Sequence, residues 1–311
     1  MAAVMTAAVL LGACAGTARA EAPHVVATIK PIHALVAQVM QGVGEPRLLV
    51  QGMASAHTYT LKPSDARALN NADIVFRVSD ALEPFLAKIM TSLPRSVTIV
   101  TLADAAGLKL LPRRFGHVIE PVSGSAHLHV GSAAGHADAV DGHIWLDPGN
   151  AKILVASIAE ALSRRDPAHA DRYRANAQRF SAHIDAIDAD LARELRPLAA
   201  KSYVVFHDAY QYLERRYALS AVGAIAISPE VPPSAQRLID LRRKVQQLGA
   251  SCIFSEPQFQ SSLVATVAEG TGARTGTLDP EGATLEPGPG LYEALMRRLA
   301  GSLTACLGAG A

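Results

Sequence analysis

VVATIKPIHALVAQVMQGVGEPRLLV, residues 25 to 50, decides the fold. VVATI is a run of apolar, β-type side chains, and Pro31 follows where a helix can open on it, because a residue in the first turn has no intrahelical partner for its N–H. RLLV at 47 to 50 then begins a second strand. A strand, a helix and a strand in so short a span form a βαβ unit, whose strands run parallel with a helix laid on the sheet. The alternation continues: Pro63 opens the next helix, DIVFRV (73 to 78) leads to a helix from Ala81, and SVTIVTL (96 to 102) ends the series. It restarts with SYVVF (202 to 206) and a helix from Asp208, LSAVGAIA (219 to 226) and a helix from Pro233, CIFS (252 to 255) and a helix from Gln260, and RTGTL (274 to 278) with a last helix from Gly290. The halves share no close sequence repeat, so their likeness is architectural. The fold expected is α/β: two Rossmann-like lobes, each a mostly parallel four-stranded sheet flanked by helices.

The middle of the chain has a different texture. Residues 116–142 are rich in Gly, Ser and Ala, with histidines at His117, His127, His129 and His136, and are expected to form a mobile surface loop. Asp147-Pro148 then caps a helix to about Arg164, and Pro167 opens another that continues to about Arg196. At 1.5 Å per residue the second would be roughly 45 Å long, the length of a rigid strut between lobes. The organisation expected is a signal peptide at 1–20, an N-terminal lobe at 21–165, the linking helix at 166–196 and a C-terminal lobe at 197–311.

Residues 1–20 are small and apolar and end in Ala18-Arg19-Ala20, the A-x-A pattern of signal-peptidase cleavage, here after Ala20. Leu11-Gly12-Ala13-Cys14 is the competing reading, a lipoprotein box that would anchor the chain through Cys14. Export leaves Cys252 and Cys306 as an even pair in an oxidising compartment, so a disulfide is expected between them. The chain of 311 residues is 50% hydrophobic and 18% charged with a formal charge of +1, and it carries no excess of basic residues to attract nucleic acid or an anionic membrane.

His57 in AHTYTLKPSD, His143 in DGHIWLDP, His207 in VVFHDAYQYL and Asp279 in GTLDP make a set of three imidazoles and one carboxylate, which suits tetrahedral zinc. They are too far apart in sequence for a zinc finger, so only the fold can gather them. His207 and Asp279 directly follow predicted strands and His57 comes shortly after RLLV, which places them at the carboxyl ends of the sheets, where open α/β folds bind ligands. His24, His33, His169 and His183 have no such context and read as surface or core residues. Asp65 reads as a helix-capping residue. Glu256, in SEPQF, either supports a ligand histidine or closes a strand end.

Five ordered blocks, AHTYTLKPSDARALNNADIVFRV, GHIWLDPGNAK, FHDAYQYLERRYAL, CIFSEPQF and GTLDPEG, resemble the periplasmic zinc-binding proteins of ABC-type importers, the ZnuA-like members of the cluster A-I metal-binding receptors. The resemblance covers the whole mature chain. It implies two α/β lobes joined by one long helix and a single metal between them, held by His57, His143 and His207, with Asp279 completing or closely flanking the sphere. Manganese receptors of the same family carry Glu at the position of His207, so the third imidazole favours zinc. The implied role is a monomeric binding protein that captures zinc in the periplasm and hands it to a membrane permease with a cytoplasmic ATPase. The competing readings are a manganese receptor, a lipid-anchored metal-binding adhesin and a zinc hydrolase. The last is disfavoured by the lack of an H-E-x-x-H run and by Asp279, which can fill the fourth position. The loop histidines are candidates for weak metal sites, and Thr58 stands where many relatives carry Asp.

Overall fold

The computed structural model describes residues 21–114, 140–226, 229 and 231–308. The described residues form two four-stranded, all-parallel sheets. The first comprises β1 (Val25–Ala27), β2 (Arg47–Leu48), β3 (Ile74–Arg77) and β4 (Thr98–Thr101), in spatial order β2-β1-β3-β4. The second comprises β5 (Ser202–His207), β6 (Ser220–Ala226), β7 (Cys252–Ser255) and β8 (Arg274–Thr277), in the order β6-β5-β7-β8. The two orders are the same, so each sheet reverses direction of growth at one place, between β1 and β3 in the first and between β5 and β7 in the second. Register is fixed there by Val25 against Ile74 and by Tyr203 against Cys252.

The helices are α1 (Lys30–Val39), α2 (Pro63–Asn70), α3 (Ala87–Met90), α4 (Pro148–Arg165), α5 (Ala170–Leu195), α6 (Gln211–Tyr217), α7 (Ala235–Leu248), α8 (Ser261–Ala268) and, after the last strand, α9 (Leu291–Gly308). Pro31, Pro63 and Pro148 occupy the first turns of α1, α2 and α4, and the Asp147 side chain accepts from Gly149 N–H to cap α4. Asp65 accepts from Lys62 N–H at 2.9 Å and from the Tyr59 hydroxyl at 2.8 Å, which closes the first turn of α2. Two helices differ from their sequence expectation. That expected from Ala81 begins as a 3-10 turn at Pro84–Leu86, and that expected from Asp208 begins at Gln211. In the first case Glu83 precedes Pro84 and is held out of the helical region, at φ −123° and ψ 59°, so no helix can run through it.

Strand periodicity builds the core. Val25, Ala27, Ile74 and Phe76 of the first sheet, with Tyr203, Val205, Cys252 and Phe254 of the second, face one continuous apolar core that runs through both halves. The intervening residues Val26 and Val75, and Val204 and Ile253, face two separate outer cores. The shared core is closed by α5, whose 26 residues span about 39 Å. Tyr173, Ala177, Phe180, Ile184, Ile187, Leu191 and Leu195 are buried along α5 at spacings of three and four, a single stripe. That stripe packs on α1 and α4 of the first half and on α6 and α9 of the second. Truncating any of its fully buried Ile or Leu side chains to Ala should cost about 2–5 kcal/mol. Asn176, also buried, donates to the carbonyls of Val39 and Gln41 at 2.7 and 2.9 Å and so satisfies the end of α1. A disulfide joins Cys252 on β7 to Cys306 on α9.

Candidate metal site

His207 is the last residue of β5, at the point where the second sheet reverses, and Glu256 directly follows the neighbouring strand β7. One Glu256 oxygen, Oε1, lies 2.6 Å from His207 Nδ1 and 3.2 Å from the His207 backbone nitrogen. His143 leads into a buried 3-10 turn, Ile144–Leu146, and repeats the arrangement: Asp141 Oδ1 lies 2.7 Å from His143 Nδ1 and 3.0 Å from its backbone nitrogen. A carboxylate can only accept, so in both rings Nδ1 carries the hydrogen and Nε2 presents its lone pair. His57, in the turn segment between β2 and α2, supplies the third ring and is the least buried of the three.

The three Nε2 atoms converge. Those of His57 and His207 each lie 3.4 Å from that of His143, and donor atoms of all three residues fall within 4.8 Å of one another. Zinc–nitrogen bonds of about 2.0–2.1 Å separate two donors of a tetrahedron by about 3.3 Å. Two of the three pairs therefore match neighbouring corners of a zinc tetrahedron, and the third lies within 4.8 Å. The cavity at this place is about 30 Å³, lined by the three histidines with Leu82, Arg114 and Asp208 among others. That volume suits an ion or a water, whereas pockets for organic ligands run to about 300–1,000 Å³.

Contacts between the halves fix these donors. The Tyr212 hydroxyl of α6 donates to the Asp141 carbonyl at 2.8 Å and accepts from Leu111 N–H at 3.1 Å. Trp145 Nε1 donates to the Pro280 carbonyl at 2.9 Å, tying the His143 turn to the loop after β8. Arg114 donates to Asp208 through Nε at 2.8 Å and to Glu214 through Nη1 at 2.7 Å, a bridge beside His207. Burial pushes Glu214 up to about 7 despite the opposing pull of Arg114.

The charge around His207 is acidic. Burial disfavours its charged form, but the charge and hydrogen bond of Glu256 outweigh burial, and its pKa stands above the ordinary histidine value. Asp279, the expected fourth ligand, is not in the close donor group. Its Oδ1 accepts from Gln258 Nε2 and from Glu281 N–H, both at 3.2 Å, and its Oδ2 faces Thr284 N–H at 3.4 Å, so it braces its own loop. Glu281 is buried nearby, with both carboxylate oxygens 3.4 Å from Ala56 N–H, and burial pushes it up to about 8.

Residues 25–306 match the family described as zinc-uptake complex component A, periplasmic, or ZnuA. The chain belongs to this family. It is 43% identical over 329 aligned residues to the high-affinity zinc uptake system protein ZnuA of Brucella abortus, covering 97% of each chain. It is 38% identical to the protein of the same name in Paracoccus denitrificans, covering 96% of each. Among solved structures it is similar in fold to the substrate-binding protein FpvC of Pseudomonas aeruginosa with Mn2+, at a TM-score of 0.77 and 22% identity over 93% of this chain and 99% of that one. It is likewise similar to TroA, a periplasmic zinc-binding protein from Treponema pallidum, at a TM-score of 0.76 and 23% identity over 92% and 99%.

Within this ZnuA-family chain, then, the structure brings His57, His143 and His207 together and sets Asp279 to one side. His24, His169 and His183 lie elsewhere, each beside its own carboxylate, and His33 faces the Pro46 carbonyl at 3.0 Å. His117, His127, His129 and His136 lie outside the described residues, as do the expected cleavage after Ala20 and Cys14. Asp141 was not anticipated, although its place two residues before His143 signals a side chain folding back on its own backbone. Glu281, Arg114 and Lys30 were not anticipated either, and their partners come from distant segments.

Proposed function

We propose that this chain captures zinc in the periplasm and delivers it to the membrane permease of an ABC importer driven by a cytoplasmic ATPase. His57, His143 and His207 supply three nitrogens to the ion, and Asp279 flanks the site by holding its loop. The observation that carries this reading is the convergence of the three Nε2 atoms with neighbouring pairs 3.4 Å apart, two of them on rings whose Nδ1 is fixed by a buried carboxylate. Family membership supports zinc as the ion and the periplasm as the place. The chain acts as a monomer, exported by residues 1–20 and cleaved after Ala20, with lobes at 21–165 and 197–311 and the helix at 166–196 between them. It is a binding protein without catalysis, and the histidines of residues 116–142 add only weak metal sites.

Release follows from the construction. The donors come from segments on both halves, so loosening one half against the other breaks the set, while the shared core and α5 keep the motion small. The test is the ratio of zinc to manganese dissociation constants, by chelator competition, for wild type and His207→Glu. A carboxylate brings harder oxygen in place of imidazole nitrogen, so the variant should bind zinc more weakly and discriminate less against manganese. An unchanged ratio contradicts the assignment of His207.

A further inference from the structure

Among the described residues, five buried side-chain polar atoms complete no hydrogen bond, and four of them belong to the second half: the hydroxyls of Tyr203 and Tyr210, Glu256 Oε2 and Gln258 Oε1. A hydroxyl can donate, whereas a carboxylate or amide oxygen can only accept, so the four make two donors and two acceptors. Buried groups of this kind are costly to leave unpaired. Their neighbours sort them. Tyr203 is under the charges of Glu214, Arg114 and Asp208, at the Arg114 bridge. Tyr210 lies close to Glu256: burial first, and then the Glu256 charge, raise its hydroxyl well above the ordinary tyrosine value, with hydrogen bonding to Glu256 among the lesser causes. An ionised oxygen is also a stronger acceptor than an amide oxygen.

The arrangement around the other buried histidine points the same way. Glu256 grips His207 through Oε1 alone, and Asp141 grips His143 through Oδ1 alone, which leaves each carboxylate one outer oxygen. The outer oxygen of Asp141, Oδ2, faces Gln211 Nε2 at 3.5 Å, and the same amide donates to the Pro112 carbonyl at 2.9 Å. Tyr210 and Gln211 are consecutive at the opening of α6 and are 0% and 2% exposed. Their backbone is fixed: Ala209 N–H donates to the His207 carbonyl at 2.9 Å, and Glu214 N–H donates to the Tyr210 carbonyl at 2.8 Å. One turn thus carries a side-chain donor for the outer oxygen of each carboxylate that grips a metal histidine.

We infer that Tyr210 is a positioning residue of the metal site: its hydroxyl donates to Oε2 of Glu256 and so holds the carboxylate on His207 Nδ1. This rests on the zinc-binding reading and deepens it by naming what orients the partner of His207. A dication on Nε2 makes Nδ1–H a stronger donor to Oε1, and a second donor on Oε2 keeps the carboxylate from turning about its own bond as that pull grows. Because Tyr210 follows His207 by three residues in one turn, ligand and support move as a unit.

The experiment compares wild type, Tyr210→Phe, Glu256→Ala and the double variant in the full chain. Tyr210→Phe keeps the ring in the core and removes only the hydroxyl. Zinc affinity is read by chelator competition, and the Nδ1–H resonances of His143 and His207 are read by NMR of the zinc-loaded protein with labelled histidine nitrogens. Tyr210→Phe is expected to weaken zinc by roughly 3- to 10-fold, less than the 10- to 100-fold of losing the direct partner of a ligand. It is also expected to move the His207 resonance while that of His143 stays in place. In the Glu256→Ala background the same change should have no further effect on zinc, because Tyr210 acts through that carboxylate. A tyrosine that only fills the core would leave the His207 resonance unmoved or change zinc affinity alike in both backgrounds, and either result overturns the inference, as does wild-type affinity in Tyr210→Phe. Should Glu256→Ala fail to fold, the His207 resonance in Tyr210→Phe decides alone. If wild type itself fails to bind zinc tightly, the zinc reading falls and takes this inference with it.

Discussion

Replacing Glu256 with Ala removes the oxygen that accepts both Nδ1–H and the backbone N–H of His207. The ring stays on β5, but its tautomer is no longer fixed, so Nε2 is part of the time protonated and part of the time turned from the centre. Losing such a partner of a ligating histidine weakens metal binding by roughly 10- to 100-fold, about 1.4–2.8 kcal/mol. The stranded backbone N–H adds a folding cost of about 1–3 kcal/mol. Glu256→Gln keeps an acceptor but not the charge and should fall between the two. The pH dependence gives a second handle. Glu256 holds the His207 pKa above 6.5, so in wild type protons begin to compete with zinc above that pH, and affinity falls as pH drops through the raised value. Without the carboxylate, burial dominates and the proton competes only at lower pH. The variant's deficit should therefore be largest near pH 8 and shrink toward pH 6. In metal-free wild type the same shift stabilises the fold below the unfolded histidine value, about 6.5, and that stabilisation is lost as pH rises through the folded value. Chelator competition at several pH values measures all of this. A dissociation constant within twofold of wild type at pH 8, or a deficit that grows on acidification, refutes the reasoning.

Glu83 is pushed up to about 7 by burial, while Thr28, Val78 and Ser79 all donate to it. Glu83→Gln should be nearly neutral at pH 7, because its amide oxygen can keep both N–H groups and its NH₂ can donate to the Thr28 oxygen. Glu83→Leu should lose about 2–6 kcal/mol in denaturant unfolding from the two stranded backbone N–H groups alone, about 1–3 for each. Reducing Cys252–Cys306, which closes 54 residues of sequence, should cost about 4 kcal/mol on the loop-entropy account. Calorimetry should then show a lower Tm with zinc binding intact, and loss of zinc binding on reduction contradicts a purely structural bond. Arg114→Ala leaves Asp208 and Glu214 without their shared cation and should cost about 3–5 kcal/mol, the range for breaking a buried pair. Stopped-flow chelation should also show faster zinc release, because the bridge sits beside His207.

Both sheets could be read from the sequence because each strand is a short β-type run followed by a helix opened on Pro or a polar cap, as at VVATI–Pro31 and RLLV–Pro63. The helix expected from Ala81 starts later because Pro84 forces the residue before it, Glu83, out of the helical region. His57, His143 and His207 were legible because each sits in a distinctive local block. Glu281, Lys30 and Arg114 were not, because their partners lie 225, 252 and 94 residues away and only the docking of the two halves creates the contact. Asp279 follows a strand and sits in the GTLDP block, which marks it as completing or flanking the sphere, and its carboxylate contacts its own loop.

The most direct test of the three-histidine site is zinc titration by chelator competition of wild type beside His57→Ala, His143→Ala and His207→Ala, each first shown by circular dichroism to be folded. One tight zinc per wild-type chain, lost in each single variant, is the result expected. Tight zinc retained in any folded variant would contradict the site.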